Sequence, residues 1–172
     1  MDSYLSPKLN VTNGLHILAP YVPTPPDVVE RMLLLAQVTR DDLVYDLGCG
    51  DGRILIEAAR QFGARGFGVD IEPFWIQESQ RNAQEANVDQ LLTFAVQDAL
   101  TVDLSPATVL VLYLVEWSTA KLLPMVRRNM KPGTRVVSHS FKLADWNPRK
   151  VETFIDAAGR KCNLYLWVVE SA

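Results

Sequence analysis

The stretch Val44-Tyr-Asp-Leu-Gly-Cys-Gly-Asp-Gly-Arg53, followed by Gly68-Val69-Asp70, decides how this chain folds. A short apolar run leads into glycines at alternate positions, and an amphipathic segment follows them. Glycine lets the backbone turn sharply and approach a ligand closely, and a helix beginning near Gly52 would direct its free N–H groups to the same place. Asp70 ends the next apolar run, where a carboxylate can reach ribose hydroxyls. The pattern predicts a nucleotide-cofactor site at the carboxyl edge of a parallel sheet.

The residues around the glycines discriminate between cofactors. In the dinucleotide fingerprint the third glycine comes three residues after the second, but Arg53 holds that position here and Gly52 comes one residue earlier. Asp46 precedes the turn, where an anion would repel a pyrophosphate and attract the ammonium of an amino acid. NAD is therefore disfavoured. A glycine turn without any ligand is the alternative, and acids at three predicted strand ends, Asp46, Asp70 and Asp98, weigh against it.

Strand-like and helix-like segments alternate along most of the chain. Strands are predicted over 43–47, 66–70, 92–96, 108–113 and 135–139, and helices over 25–36, 53–62, 74–86 and 118–130. This alternation predicts an α/β fold with a doubly wound, mostly parallel sheet. After His139 the pattern changes, and 151–155 and 163–169 are predicted to form a C-terminal antiparallel hairpin that completes a seven-stranded sheet.

The chain is predicted to divide into two parts. Residues 1–20 are expected to form an irregular arm, and residues 21–172 a single domain. Thr24-Pro25-Pro26-Asp27 predicts a helix start in which Thr24 caps the helix, Pro25 occupies the first turn and Asp27 completes a capping box.

Composition excludes several classes of partner. The net charge of −3 gives no broad basic surface for nucleic acid, and no apolar run is long enough to cross a membrane. Cys49 and Cys162 lie far apart without metal-ligand spacing, which predicts no metal site and a reduced, cytoplasmic setting. We therefore expect no metal, nucleic-acid or membrane partner.

Asp46-Leu-Gly-Cys-Gly-Asp-Gly52 resembles motif I of the class I, seven-β-strand S-adenosylmethionine-dependent methyltransferases. Pro20-Tyr-Val-Pro-Thr-Pro25, Lys131-Pro-Gly-Thr-Arg-Val-Val-Ser-His139 and Trp146-Asn-Pro148 resemble the small archaeal protein-lysine methyltransferases, and more distantly the mitochondrial ones. The resemblance implies the Rossmann-like methyltransferase fold, S-adenosylmethionine as the cofactor with S-adenosylhomocysteine as the product, and a protein substrate with exposed lysines.

The resemblance also implies where the amino-acid and ribose parts of the cofactor bind. Asp46 and the backbone of Gly48 and Gly50 are expected to hold the methionine part. Asp70 is expected to bind the ribose hydroxyls, and Ile71 to lie against the adenine.

The adenine end and the cover of the site follow from the same resemblance. Asp98, next to Ala99, is expected to bind the adenine amino group, the alternative being a turn cap. Tyr21 and Thr24 are expected to close over the cofactor, and simple packing is an equal alternative for Tyr21. His139 ends a strand, where a hydrogen-bonded structural role is favoured over that of a general base.

The methyl acceptor is expected near Leu114–Thr119, since methyltransferases of this class place substrate-contacting residues after the fourth strand. The D/N-P-P-Y motif of adenine and glutamine methylation is absent, which disfavours both acceptors. Glu116 and Trp117 are the candidates, because a carboxylate beside an indole can hold an ammonium group. The alternative for Trp117 is packing against a helix. A small-molecule methyltransferase and a non-catalytic cofactor-binding module are the other functions that the sequence leaves open.

Overall fold

The computed structural model describes residues 22–114 and 116–171, apart from the side chains of Glu116 and Trp117. Within those residues, strands and helices alternate up to the fifth strand. In chain order the elements are α1 (Pro26–Leu35), β1 (Leu43–Leu47), α2 (Arg53–Phe62), β2 (Arg65–Asp70), α3 (Pro73–Glu85), β3 (Leu92–Val96), β4 (Val109–Leu112), α4 (Glu116–Asn129), β5 (Arg135–His139), β6 (Lys150–Ile155) and β7 (Lys161–Val168).

The strands form one seven-stranded sheet in the order β3-β2-β1-β4-β5-β7-β6. Neighbours from β3 to β5 pair in parallel, whereas β7 runs antiparallel to both β5 and β6. The predicted fold is therefore confirmed, including the hairpin at one edge. The bounds of β1, α2, β3 and β5 are those predicted, and the other elements differ by one or two residues at one or both ends.

The predicted capping box at the first helix is wrong. Pro25 is the residue before the helix, Pro26 begins it, and no side chain caps it. Thr24 is buried, and its carbonyl accepts a hydrogen bond from Arg53. The Asp27 carboxylate accepts a hydrogen bond from the Ala157 N–H, at 2.7 Å, instead of reaching back along its own helix. Contacts with distant parts of the chain have displaced the local motif.

Two apolar layers cover the sheet. Helices α1, α2 and α3 pack on one face, where Leu33 and Leu55 are fully buried, and α4 packs on the other, where Leu122 and Trp167 are fully buried. The carboxyl ends of the parallel strands lie together at one edge of the sheet, between the two layers. Open α/β sheets bind their ligands at that edge.

A polar cluster at the amino ends of the parallel strands connects the first helix to the sheet. The Asp42 carboxylate accepts hydrogen bonds from the Thr108 hydroxyl, at 2.7 Å, and from Arg135. Arg135 also donates to the carbonyl oxygens of Ala36 and Gln37, at 2.9 and 3.0 Å. The end of α1 is thereby fixed to β1, β4 and β5.

Two neighbouring leucines of α1 provide a matched test of this packing. Leu33 is fully buried, whereas Leu34 is 56% exposed. We expect Leu33→Ala to lower the free energy of unfolding by about 2–5 kcal/mol, because it leaves a cavity, and Leu34→Ala to change it by less than about 0.5 kcal/mol. Urea unfolding of both variants checks this, and equal losses would contradict the placement of α1.

Candidate active site

The turn after β1 is built on left-handed backbone. Gly48, Gly50 and Gly52 have φ angles of +85°, +53° and +81°, which glycine adopts without the steric penalty of a Cβ. The N–H groups of Gly48 and Cys49 both donate to the carbonyl oxygen of Val69, at 2.8 and 2.9 Å. These bonds fix the turn to the end of β2. The alternate glycines thereby bring the carboxyl ends of β1 and β2 together.

Arg53 joins this turn to the segment that leads into α1. Its guanidinium lies 2.7 Å from the Asp51 carboxylate and donates to the Thr24 carbonyl at 3.1 Å. Asn82 of α3 donates to the Asp51 carbonyl at 3.0 Å. Thr24 is therefore held over the glycine turn, next to the carboxyl ends of the strands.

A cavity of about 250 Å³ opens at this edge of the sheet. Most of the predicted cofactor residues line it: Thr24, Asp46, Gly48, Gly50, Asp70, Ile71 and Ala99. Tyr21 lies outside the described residues. Leu114, from the predicted acceptor segment, also lines the cavity, together with three residues that no sequence pattern had marked: Trp75, Gln97 and Tyr113. For Tyr113, its position directly after β4 is the signal that could have indicated it.

Asp70 is oriented by two backbone groups. One carboxylate oxygen accepts from the Gly50 N–H at 3.1 Å, and the other accepts from the Glu72 N–H at 3.0 Å. Burial raises the pKa of this carboxyl although both hydrogen bonds lower it. The side chain is thus held in one orientation at the cavity wall.

Asp46 is the most strongly perturbed acid of the site. It is 4% exposed, and burial, followed by the nearby charges of Asp70 and Asp51, raises its pKa to about 8. The carboxyl groups of Asp46, Asp51 and Asp70 therefore lie close together, and Glu72 also lines the cavity. Such a site fits a ligand that carries sulfonium and ammonium charges, as S-adenosylmethionine does, and disfavours a pyrophosphate.

Asp98 has the contact of a turn cap. Its carboxylate accepts from the Leu100 N–H at 2.9 Å and so begins a short 3-10 turn over Ala99–Thr101. Its neighbours Gln97 and Ala99 line the cavity, whereas Asp98 is not among the lining residues. Binding of the adenine amino group by Asp98 stays a prediction.

His139 lies beside the cavity, behind Tyr113. The two rings stack with centroids 4.3 Å apart and an angle of 29° between their planes. Burial, and then the charge of Arg160, lower the pKa of His139 to about 4. The hydrogen bond expected for this histidine is not formed at Nδ1, which has no partner among the described residues. The structural role expected for His139 stays a prediction.

The acceptor candidates Glu116 and Trp117 begin α4, the helix that follows β4 in the chain. Their side chains lie outside the described part of the structure, so their role stays a prediction.

The described residues contain neither a cluster of metal ligands nor a helix that could span a membrane. No group of three or more histidine, cysteine, aspartate or glutamate side chains in them could hold a metal ion. No helix in the same part of the chain is both long and apolar enough to cross a bilayer.

A family model described as the ANTKMT methyltransferase domain matches residues 46–150, from the acid before the glycine turn to the start of β6. The chain belongs to this methyltransferase family. The match contains the glycine turn, Asp70, Asp98 and the segment after β4.

Individual relatives agree with this assignment. The methyltransferase is 42% identical to a protein-lysine N-methyltransferase of Saccharolobus islandicus over 87% of this chain and 93% of that protein. It is 30% identical to the adenine nucleotide translocase lysine N-methyltransferase of Mus musculus over 78% of this chain, which spans 58% of that longer protein.

A solved structure is similar over nearly the full length of both chains. It is an RNA methyltransferase of Salinibacter ruber in complex with S-adenosyl-L-homocysteine, with a TM-score of 0.82, 44% sequence identity, and coverage of 88% of this chain and 95% of that one. The present methyltransferase uses S-adenosylmethionine as its methyl donor.

The raised pKa of Asp46 predicts how stability depends on pH. Between the pKa of 3.8 in the unfolded chain and about 8 in the folded one, the folded state binds one proton more. Stability therefore falls as pH rises, by up to about 1.4 kcal/mol per pH unit. Asp46→Asn replaces the carboxyl group by a neutral amide and should remove this pH-dependent contribution to stability.

Urea unfolding of both proteins at about pH 5 and about pH 7, without ligand, measures the difference. We expect Asp46→Asn to gain stability relative to the unsubstituted protein at the higher pH. A difference that is the same at both pH values would contradict a neutral Asp46.

Proposed function

We propose that this enzyme transfers the methyl group of S-adenosylmethionine to the side-chain amine of lysine residues in protein substrates. The observation that carries the proposal is the 42% identity to a protein-lysine N-methyltransferase over nearly the whole length of both proteins. More distant relatives are also lysine N-methyltransferases.

The shape of the acceptor side supports a macromolecular substrate. Residues 140–149, between β5 and β6, form no helix and are described throughout, so no helical lid follows the last parallel strand. A site without a helical lid suits a side chain presented by a protein better than a small molecule that must be enclosed.

The residues at the cavity have distinct tasks in this proposal. Bound there, S-adenosylmethionine supplies a methyl group on a sulfonium, whose leaving group is already activated. Asp46 and the glycine turn hold its amino-acid end, Asp70 holds the ribose, and Ile71 and Ala99 lie against the base. Their contribution to catalysis is to bind, align the reacting groups and exclude water.

The lysine must lose a proton before it can react, because an ammonium group has no lone pair. A nearby carboxylate favours the charged amine, whereas desolvation favours the neutral one. We therefore expect the acids to bind the cofactor and to attract the ammonium as it approaches. Water is expected to take the proton.

A label-transfer experiment tests the acceptor class. Enzyme with methyl-tritiated S-adenosylmethionine is incubated with a cell extract, and label is counted in protein, RNA and small solutes separately. Protein label that resists ribonuclease, and that does not form when the lysines of the extract are acetylated before the incubation, supports the proposal. Label in RNA, the substrate class of the Salinibacter relative, or in small solutes would overturn it.

Asp70→Ala tests the ribose assignment. Loss of charge-assisted hydrogen bonds costs about 1.5–3 kcal/mol, which is roughly a ten- to hundredfold loss of affinity. We expect calorimetry to show that loss for S-adenosylhomocysteine, with little change in the melting temperature. Asp89→Ala removes an exposed carboxylate away from the cavity and should bind normally. Unchanged affinity in folded Asp70→Ala would reject the assignment.

Glu116→Gln and Trp117→Ala test the acceptor candidates. If the pair guides a cationic lysine, Glu116→Gln slows methylation of protein at unchanged cofactor affinity, and Trp117→Ala slows it further through lost contact area and cation–π attraction. If Trp117 packs in the core, its truncation instead costs about 3–5 kcal/mol of stability. Thermal melts beside single-turnover assays separate these outcomes. Early melting with normal activity per folded molecule would exclude Trp117 from the acceptor site.

A further inference from the structure

The carboxyl group of Asp46 is buried at the cavity without a compensating partner. The residue is 4% exposed and lines the cavity from β1. Its carboxyl group makes no hydrogen bond among the described residues. The described side chains contain one fully enclosed polar atom without a partner, Nδ1 of His139. The carboxyl oxygens of Asp46 are therefore not enclosed, and they face the cavity.

The other acids at the cavity are compensated. The Asp70 carboxylate accepts two hydrogen bonds from backbone N–H groups, at 3.1 and 3.0 Å. Asp51 lies 2.7 Å from the guanidinium of Arg53, and Glu72 is exposed to solvent. Among the described acids that line the cavity, Asp46 thus has the least support for a negative charge.

The titratable and charged side chains that share the cavity with Asp46 come from the turn after β1 and from α2, β2 and β4. They are three carboxyl groups, a thiol, a phenol and one guanidinium: Asp51, Asp70, Glu72, Cys49, Tyr113 and Arg53. Burial raises the pKa of the thiol and of the phenol, so both stay neutral. The guanidinium is paired with Asp51. A charge on Asp46 therefore meets mainly other negative charges.

These surroundings decide the protonation state of Asp46. Burial, and then the charges of Asp70 and Asp51, raise its pKa to about 8. Without ligand, Asp46 therefore carries a proton at neutral pH. An ammonium group beside the carboxyl reverses this balance, because an adjacent opposite charge favours the ionised form.

We propose that the amino-acid end of S-adenosylmethionine expels a proton from Asp46 when the cofactor binds, and that a proton returns when the product leaves. The carboxyl O–H bond breaks, the proton goes to water, and the resulting carboxylate pairs with the ammonium group. When S-adenosylhomocysteine dissociates, the carboxylate takes a proton back from water. The proposal rests on the proposed position of the methionine part beside Asp46, and it does not depend on the methyl acceptor.

Proton release makes the affinity for the cofactor depend on pH. The complex holds one proton fewer than the separate partners, so affinity rises with pH until it levels off near the pKa of about 8 that Asp46 has without ligand. For one proton, the rise is up to about tenfold per pH unit. The α-amino group of the ligand loses its own proton only near about pH 8. The range from about pH 5.5 to about pH 7 therefore reports on Asp46.

Two ligands separate the amino-acid end from the rest of the cofactor. S-adenosylhomocysteine carries the ammonium group, whereas 5′-methylthioadenosine has the same base, ribose and thioether without the amino-acid part. Calorimetry at about pH 6.5, in buffers of different ionisation enthalpy, counts the protons released on binding. We expect about one proton with S-adenosylhomocysteine and close to none with 5′-methylthioadenosine. Any proton exchange at Asp70 is common to both ligands, because both carry the ribose.

Asp46→Asn keeps the size of the side chain and has no proton to release. We expect its affinity for S-adenosylhomocysteine to stay constant between about pH 5.5 and about pH 7, where that of the wild type rises by up to about tenfold per pH unit. Asp89→Ala removes an exposed carboxylate that does not line the cavity. This control should release as many protons as the wild type.

The comparison of the two ligands on wild-type protein is decisive even if Asp46→Asn does not fold. Binding of S-adenosylhomocysteine without proton release, or equal release with both ligands, would overturn the proposal. Proton release by Asp46→Asn equal to that of the wild type would overturn it as well. None of these results bears on the lysine acceptor, because no methyl group is transferred. Failure to label lysine, in turn, would count against the proposed function and leave the proton release standing.

Discussion

Left-handed backbone at Gly48, Gly50 and Gly52 is the constraint on which the cofactor site depends. Each of these residues has a φ angle between +53° and +85°, where a side chain would add strain. The resulting turn brings the Gly50 N–H to the Asp70 carboxylate, at 3.1 Å, and so orients the acid at the end of the neighbouring strand. At Gly52 a Cβ would also meet Phe94 and Ser79 at 3.1 Å. The glycines therefore shape the site by holding together the ends of strands that lie far apart in the sequence.

The electrostatics of the cavity follow from that turn. Arg53 balances Asp51, but burial and neighbouring charge leave Asp46 with a pKa of about 8. A cationic ligand relieves this repulsion, whereas an anionic one adds to it. S-adenosylhomocysteine lacks the sulfonium charge of the donor, so these carboxyls attract the product less strongly than the donor. The selection of cofactor is thus largely a matter of charge.

The sequence predicted the fold well because its signals are local. Glycines at alternate positions and strand–helix alternation defined β1, α2, β3 and β5 to the residue. The cap at Thr24 failed because Pro25 is the residue before α1 and because the Asp27 carboxylate, which would complete the box, accepts from the Ala157 N–H. The Tyr113–His139 pair was not predicted because it depends on the register between β4 and β5, which no short pattern encodes. The sequence could place each residue at a strand end but could not show that the two rings meet.

The two sides of the cavity differ in charge, and the chemistry of methyl transfer to an amine explains why they should. The acids belong to the ends of β1 and β2 and to the turn between them, on the side where the cofactor is proposed to bind. The end of β4 contributes Tyr113 and Leu114, and the His139 ring at the end of β5 stacks against Tyr113. A carboxylate in contact with the amine would hold it protonated and without a lone pair, whereas an aromatic, poorly hydrated wall favours the neutral form. Glu116, if it faces the substrate, would therefore act best at the mouth of the site, attracting the ammonium before it loses water and its proton.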